Sequence, residues 1–269
     1  MKTLILSGFG TNCEKETLYA CRRAGGEDAD LRHINVIYHE GLDLAQYHLL
    51  ILIGGFLDGD DLGAARACAN RFRFRALPRG GTFLRDLQKF VAQDRLVLGI
   101  CNGFQLLVKL GLLPGSEAGA RQQLTMAPNA NHRFEDRWVD MIVEDRSPCV
   151  FTKGIGRIEL PVRHGEGRVW AESRDVLERL VEQGLAPLMY CSQDGTPTEA
   201  YPANPNGSPL GIAALCNPKG TVMGLMPHPE AYNHYTNHPQ WSRRPFQGED
   251  GKGLAILRNA YRYLAQSGI

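Results

Sequence analysis

One short segment constrains the fold of this chain more than any other. In LVLGICNGFQLL, Leu96 to Leu107, an apolar run suited to a buried strand meets the pentapeptide GICNG, and a helical pattern follows at once. This is the G-x-C-x-G form of a nucleophile elbow, in which glycines relieve crowding so that the central side chain projects beyond the end of the strand. The segment therefore predicts a strand, a sharp turn at Cys101 and a helix in immediate succession.

Similar apolar runs alternate with helical patterns throughout the first half of the chain. The runs Thr3 to Leu6, His48 to Ile53 and Leu96 to Ile100 each lead into or contain a Gly-rich turn, as buried parallel strands do. Helical spacing covers 14–24, 84–92 and 103–110. This alternation predicts βαβ units, and hence an α/β fold around a mostly parallel sheet.

From about Trp138 the pattern changes to strand-like runs with tight turns. The strands predicted there are 139–143, 157–161, 185–190, 211–215 and 221–225. Helices are predicted at 173–183 and 254–265, and the polar stretch 233–252 is predicted to be a long excursion loop. No repeat or linker interrupts the sequence, so 1–269 is predicted to form a single domain.

Composition excludes several classes of protein. The chain is 43% hydrophobic and 22% charged, and it has no run near the ~18 apolar residues of a membrane span, so we expect no membrane anchor. Its first residues, MKTLILSGFG, read as a strand rather than a secretory signal, which predicts a cytoplasmic location. A net charge of +1 predicts no strong attraction to nucleic acid or anionic lipid.

The cysteine count agrees with a reducing compartment. There are seven cysteines, an odd number, and none forms a C-x-x-C pair. They lie at positions 13, 21, 68, 101, 149, 191 and 216. This pattern fits neither a disulfide framework nor a clustered zinc site, so reduced thiols are expected.

The elbow position gives Cys101 a chemical advantage. The N-terminus of the following helix stabilises negative charge and therefore favours the thiolate, which is the nucleophilic form. A second interpretation is that Cys101 is only a small buried residue beside a tight turn. A nucleophile needs a base, and the base needs a group that orients it, so these partners must be sought elsewhere in the chain.

The segment VMGLMPHPEAY, Val222 to Tyr232, offers such partners. His228 and Glu230 lie two residues apart after an apolar strand, and residues so spaced in extended backbone face the same side. Pro229 favours extended backbone at His228, so Glu230 can hold one ring nitrogen while the other faces Cys101. Taken alone, the segment also fits a solvated loop. Together with the elbow, it predicts a Cys-His-Glu set, which several kinds of thiol hydrolase and related stress proteins share.

Seven segments in order narrow this choice. They are GTNCE (10–14), GGF with GD (54–56 and 59–60), GICNGFQ (99–105), RFEDRWV (133–139), PVRHGEGR (161–168), YPANPNGS (201–208) and GLMPHPE (224–230). With these segments the chain resembles the class I, triad-type glutamine amidotransferases, and among them the glutaminase subunits of phosphoribosylformylglycinamidine synthase. The elbow and the His-Pro-Glu segment are shared by triad amidotransferases generally, whereas HGEG and NPNGS are particular to these subunits.

The resemblance implies a three-layer, flavodoxin-like fold and a set of site residues. It makes Cys101 the nucleophile, His228 its acid and base partner, and Glu230 the residue that orients His228. The residues it implies for the oxyanion hole or for substrate binding are Gly55 or Phe56, Asn102, Gln105, His164 and Glu166. For Gln105 a place on the helix surface is an alternative, and for His164 and Glu166 a partner-facing surface is. No metal site is implied.

The resemblance also implies a reaction and its partners. Glutamine would be hydrolysed to glutamate and ammonia, and the ammonia would pass to a large synthase subunit, with a small accessory subunit as a further candidate partner. The chain contains no G-x-x-x-x-G-K-[ST] loop, so ATP and Mg²⁺ are expected in the synthase subunit and no cofactor in this chain. A non-catalytic scaffolding or regulatory subunit with the same fold is the alternative.

Several segments depart from the family pattern or suggest other functions. LDGDDLGAARACA (57–69), Arg163, where a small residue is usual, and the length of 233–252 are departures that we expect to reshape the partner interface. RFRFRALPR (71–79) mixes basic and aromatic residues, but charge balance favours a partner-facing or solvated segment over nucleic-acid binding. His228, His234 and His238 are not spaced as metal ligands. GFGTNC (8–13) lacks the final glycine of a dinucleotide loop, and Cys13 is expected to be an inert neighbour of the site.

Overall fold

The apolar runs and helical patterns form eleven strands and seven helices in the computed structural model, which describes residues 1–115 and 121–268. The strands are β1 (Thr3–Ser7), β2 (Ala29–His33), β3 (Leu49–Leu52), β4 (Leu96–Ile100), β5 (Leu124–Ala127), β6 (Glu135–Val143), β7 (Arg157–His164), β8 (Arg168–Ala171), β9 (Leu188–Tyr190), β10 (Ala214–Cys216) and β11 (Val222–Leu225). The helices are α1 (Glu14–Arg23), α2 (Val36–His39), α3 (Arg66–Phe74), α4 (Phe83–Ala92), α5 (Asn102–Leu110), α6 (Arg174–Glu182) and α7 (Leu254–Ser267).

Six strands form the central sheet, in the order β10-β11-β4-β3-β1-β2. All neighbours pair in parallel except β10, which runs antiparallel to β11. Every residue of β3 and β4 is buried, as expected of parallel strands covered on both faces. Because the parallel strands point the same way, the turns after β1, β3, β4 and β11 meet at one edge of the sheet.

Helices cover the sheet in two groups. Helices α1 and α7 pack against each other, while α3 packs against both α4 and α5. Helix α5 lies on β3, β4 and β11. This arrangement confirms the predicted three-layer α/β fold with a central, mostly parallel sheet. Within residues 1–115 and 121–268, no helix combines the length and the apolar character that crossing a bilayer would need.

Two smaller antiparallel sheets complete the fold. Strand β6 lies between β7 and β9, and β5 pairs with β8. The β6–β7 ladder extends from Ile142 opposite Arg157 to Glu135 opposite His164. One edge of β7 is taken by β6, which leaves its other edge free to approach the turns at the carboxyl edge of the central sheet.

The structure adds elements that the sequence pattern did not predict. Strand β2 has a charged sequence, ADLRH, and it is half-buried because it lies at the edge of the sheet. Helix α3 has four polar or charged residues among nine, yet it turns Cys68, Ala69 and Phe72 inward. Strands β5 and β8 pair only with each other, so their apolar pattern is short and weak.

The basic and aromatic segment 71–79 interacts with its own chain. It spans the end of α3, where the Arg71 guanidinium lies 2.6 Å from the Asp58 carboxylate. The Arg75 guanidinium lies over the ring of Tyr38, 4.2 Å from its centroid. Arg79 Nη2 also lies 2.6 Å from Asp86 Oδ2, so three of the segment's charges are occupied by intramolecular contacts.

The segment 233–252 lies against the three-stranded sheet. It contains only two short 3-10 turns, Tyr235–Asn237 and Trp241–Arg243. Its His238 is buried, and the Nε2 atom lies 3.1 Å from Glu159 Oε1 of β7. The same imidazole packs edge-on against Trp138 of β6, with 4.6 Å between ring centroids. These contacts hold an otherwise irregular loop in one place.

Candidate active site

Cys101 occupies a strained turn between β4 and α5. Its φ of +51° and ψ of −104° are uncommon for a residue with a side chain, and such strain concentrates at functional positions. The helix lies so close to β3 that a Cβ on Gly103 would stand 2.0 Å from the Leu52 carbonyl oxygen. A Cβ on Gly99 would stand 2.7 Å from the Gly103 backbone. The glycines of the elbow are therefore required by close packing.

His228 and Glu230 follow β11 in the neighbouring turn. Both side chains are buried, and His228 Nδ1 lies 2.6 Å from Glu230 Oε1. The other ring nitrogen, Nε2, has no hydrogen-bond partner among the described residues. β11 pairs in parallel with β4, which places this turn beside the Cys101 elbow. The predicted bond between histidine and carboxylate is thus present.

Electrostatics favour a charged imidazole at this position. Burial alone would lower the pKa of His228, but the negative charges of Glu230 and of the Cys101 thiolate raise this pKa well above its ordinary value. An imidazolium beside a thiolate is the form in which a cysteine attacks and a histidine can then donate a proton.

The free edge of β7 contacts both His228 and Cys101 through backbone carbonyl groups. The Pro161 carbonyl accepts the backbone N–H of His228 at 2.8 Å. The Arg163 carbonyl accepts from Cys101 Sγ at 3.5 Å. Carbonyl groups two residues apart point the same way along a strand, so one edge contacts base and nucleophile together. The Arg163 side chain is exposed and leaves this contact intact.

The amides suggested for an oxyanion hole are not equivalent. The Phe56 N–H donates to the Gly10 carbonyl at 2.8 Å, so it is already occupied. The Gly55 N–H donates no hydrogen bond within the described residues, and the Gly55 φ of +128° suits a glycine. The Asn102 N–H is the first of α5 and has no partner inside the helix. The structure thus favours the Gly55 amide over the Phe56 amide as an oxyanion donor.

The remaining residues predicted for substrate binding form two connected groups. In the first, Asn102 Nδ2 donates to Gln105 Oε1 at 2.9 Å, and Gln105 Nε2 donates to the Glu166 carbonyl at 2.6 Å. The Glu166 carboxylate accepts the Ala64 N–H at 3.1 Å. Gln105 is buried rather than on the helix surface, and it ties the elbow helix to the HGEG turn.

His164 belongs to the second group, a buried polar network. Its Nδ1 lies 3.1 Å from Asn129 Oδ1, which also accepts the Gly167 N–H at 2.9 Å. Burial and the nearby charge of His228 lower the pKa of His164 to about 3, so its ring stays neutral. Asn206 of the NPNGS segment donates to the Gly167 carbonyl at 2.8 Å and lies 3.1 Å from the Tyr190 hydroxyl.

Two features of the site were missed by sequence reasoning. Asn129 and Tyr190 carry no recognisable motif, and only the fold brings them to the HGEG and NPNGS segments. Cys13 was expected to be a neighbour of the site, and it lies there, but the 3.8 Å contact between its Sγ and His228 Nδ1 was not predicted. The GTNCE segment could have indicated this contact, because it follows β1 at the same edge of the sheet as the elbow.

The combination of fold and site first defines a class. A thiol at a nucleophile elbow, beside a histidine bonded to a carboxylate, is the arrangement of enzymes that transfer acyl groups through a thioester. The chain belongs to the family of CobB/CobQ-like glutamine amidotransferase domains, whose model matches residues 1–264. It is therefore a glutamine amidotransferase.

Individual relatives match the chain over nearly its full length. The phosphoribosylformylglycinamidine synthase subunit PurQ of Dehalococcoides mccartyi is 40% identical over 268 residues, which cover 99% of this chain and 98% of the relative. The subunit of the same name from Methanococcus maripaludis is 41% identical, with 97% of each chain covered. A chain in the structure of PurLQS from Thermotoga maritima superposes with a TM-score of 0.69 at 26% identity, covering 98% of both chains.

Proposed function

We propose that this protein is the glutaminase subunit of phosphoribosylformylglycinamidine synthase. It hydrolyses L-glutamine and supplies ammonia for the ATP-dependent conversion of formylglycinamide ribonucleotide to formylglycinamidine ribonucleotide in de novo purine biosynthesis. The observation that carries the proposal is the buried 2.6 Å contact between His228 and Glu230 beside the strained elbow of Cys101. Similarity over 97–99% of the chain to subunits named PurQ supports the choice of synthase.

The chemistry follows from the positions of these three side chains. The Cys101 thiolate attacks the carboxamide carbon of glutamine, and His228 donates its Nε2 proton to the departing nitrogen, which leaves as ammonia. The product on the enzyme is a γ-glutamyl thioester. His228, now neutral, takes a proton from water as the water attacks the thioester. Glutamate and one proton leave, and the Cys101 thiolate and the His228 imidazolium are restored. Glu230 keeps the ring oriented and stabilises its charged form.

Backbone amides stabilise the oxygen that becomes negative in each step. The N–H groups of Gly55 and Asn102 are the two donors that this proposal uses. Removing one oxyanion donor typically lowers kcat by about 10² to 10³. The Asn102, Gln105 and Glu166 group, together with the neutral His164, would bind the amino-acid end of glutamine in the proposed site.

The later chemistry would take place on partner subunits. Free ammonia becomes ammonium in neutral water and loses its nucleophilicity, so it must pass directly to the enzyme that consumes it. A large synthase subunit would receive it and would hold ATP and Mg²⁺, with a small accessory subunit as a further component. The structural match to a chain of PurLQS supports an assembly of this kind.

The decisive experiment measures ammonia release from glutamine by the purified chain with and without the large synthase subunit. We expect release in the complex and none for Cys101→Ala. Cys191→Ala is the matched control, because Cys191 is also buried but lies outside the site. Equal, negligible ammonia release by the wild type and Cys101→Ala in the reconstituted complex would contradict the proposal.

A second measurement separates an enzyme from a scaffold of the same fold. A glutamine analogue with an electrophilic γ-carbon is incubated with the chain, and the modified peptide is identified by mass spectrometry. We expect modification at Cys101 alone among seven cysteines. A scaffolding subunit would show no selective reaction there.

A further inference from the structure

A second thiol lies on the Nδ1 side of the His228 ring. Cys13 Sγ is 3.8 Å from Nδ1, and Glu230 Oε1 is 2.6 Å from the same nitrogen. The ligand atoms of the three side chains all lie within 4.8 Å of one another. A thiolate, an imidazole nitrogen and a carboxylate oxygen are the three ligand types that zinc uses in proteins.

Two further observations point to a ligand at this cluster. Glu230 is 1% exposed, and its second oxygen, Oε2, has no hydrogen-bond partner among the described residues. A buried carboxylate oxygen without a partner is unfavourable, and a cation would satisfy it. Asn12 is exposed and its Oδ1 lies 3.1 Å from Cys13 Sγ, so the thiol is in contact with a surface residue.

We propose that Cys13, His228 and Glu230 form an inhibitory site for a thiophilic divalent cation such as Zn²⁺ or Cd²⁺. On binding, Cys13 releases its thiol proton and His228 gives up the proton on Nδ1. The metal then occupies Nδ1 and a proton occupies Nε2, so the ring has no lone pair left. It can no longer accept a proton from water, so the γ-glutamyl thioester is not hydrolysed and turnover stops.

The spacing suits such a cation with little movement. Tetrahedral zinc with Zn–S near 2.3 Å and Zn–N near 2.0 Å separates sulfur from nitrogen by about 3.6 Å. The observed distance from Cys13 Sγ to His228 Nδ1 is 3.8 Å. The same geometry separates a ligand nitrogen from a ligand oxygen by about 3.3 Å. Glu230 Oε1 must therefore move less than about 1 Å farther from His228 Nδ1 than its hydrogen-bonding position. The nucleophile takes no part, so the site does not depend on Cys101.

A binding experiment without any enzyme assay tests the site. The full chain carrying Cys101→Ala is titrated with Cd²⁺ while the ultraviolet charge-transfer band of cadmium thiolate is recorded. We expect one tight site, weakened at least about 10-fold when Cys13→Ser is added. Cys21→Ser is the matched control, since Cys21 is buried in α1, the helix that follows Cys13. The proposal would be overturned if the Cys101→Ala chain showed no cadmium thiolate band. It would also be overturned if adding Cys13→Ser left the band and the affinity for Cd²⁺ unchanged.

A second experiment tests inhibition and rests on the proposed function. Zn²⁺ is titrated against ammonia release by the complex with the synthase subunit, and each rate is divided by the metal-free rate of the same variant. We expect inhibition that a chelator reverses, and a midpoint at least about 10-fold higher for Cys13→Ser than for Cys21→Ser. Equal midpoints would refute the inhibitory site. Absence of any ammonia release would refute the proposed function, and the cadmium titration would still decide on the site.

Discussion

At the scale of single residues, the His228 ring is held from several directions at once. Glu230 bonds to Nδ1, Cys13 lies near the same nitrogen, and the backbone N–H is fixed by Pro161. Gly54 closes the remaining side, because a Cβ there would stand 2.7 Å from His228 Cε1. A catalytic imidazole with so many neighbours is sensitive to changes that do not touch its own atoms.

Replacing Glu230 by glutamine tests the charge behind the histidine. Glu230→Gln keeps a hydrogen-bond acceptor but removes the negative charge that raises the pKa of His228. The imidazolium then persists only to a lower pH, so the alkaline limb of kcat/KM for glutamine hydrolysis should move to lower pH. The rate should fall by up to about 10⁴, as for a comparable change in a serine triad. The control is Glu182→Gln at an exposed position, and an unmoved alkaline limb would contradict this role.

A methyl group at position 54 tests the position of the ring. Gly54→Ala is compatible with the backbone but would place a Cβ 2.7 Å from His228 Cε1 and 3.3 Å from Cys13 Sγ. The imidazole must shift, and a displacement near 1 Å is expected to lower kcat by about 10²-fold. Gly156→Ala is the control, because nothing lies within 4 Å of a Cβ there. Unchanged activity in Gly54→Ala would show that catalysis does not require the His228 ring to keep this position.

The neutral His164 makes stability depend on pH. The pKa of His164 is lowered from 6.5 to about 3 in the folded chain. Between these pH values the unfolded chain binds one more proton, so acidification favours unfolding by about 1.4 kcal/mol per pH unit. Unfolding free energies of the wild type and His164→Gln, measured from pH 7 to pH 5, should therefore diverge in slope by this amount below pH 6.5. His132→Gln controls for loss of an exposed imidazole, and parallel curves would contradict the prediction.

The sequence predicted only those parts of the site whose residues directly follow a recognisable strand. Cys101 and the His228–Glu230 pair each follow an apolar strand, and parallel strands bring their carboxyl ends together, so this convergence follows from local patterns. The contact of Cys13 with His228 depends on the packing of α1, and the Tyr190 contact depends on a different sheet. No local pattern encodes such distances.

At the scale of elements, burial decided which predictions succeeded. Strands β3 and β4 are buried along their full length, and their sequences are correspondingly apolar. Strand β2 and helix α3 place charged residues at the surface, so too few of their residues are apolar for a strand or helix pattern to be recognised. The predicted strand 211–215 is shorter in the structure, because a 3-10 turn ends at Gly211 and β10 begins at Ala214.

The loop 233–252 should loosen when its anchor is removed. Glu159 contacts His238 Nε2 at 3.1 Å and Arg244 Nη2 at 2.6 Å. Glu159→Gln removes the charge shared by both contacts, so limited proteolysis should cleave within the loop several-fold faster. Glu182→Gln, far from the loop in sequence and exposed, should leave cleavage unchanged. An unaltered cleavage rate in Glu159→Gln would show that packing against Trp138 alone holds the loop.

At the scale of the whole molecule, stability comes from one large buried core without covalent cross-links. All seven cysteines are free and buried. Unfolding curves measured with and without reductant should therefore coincide, and all seven thiols should be titratable in the unfolded chain. A transition that shifts with reductant, or fewer than seven thiols in the unfolded chain, would contradict this prediction.

The carbonyl groups of Pro161 and Arg163 that brace the site belong to the backbone, and substitution of a side chain does not remove them. Side chains along that edge of β7 can consequently drift during evolution while the support of nucleophile and base is inherited unchanged. Arg163 shows this separation, because its side chain is exposed while its carbonyl group contacts Cys101 Sγ. A lineage can thus alter the surface it shows to its partners while its catalytic apparatus stays the same.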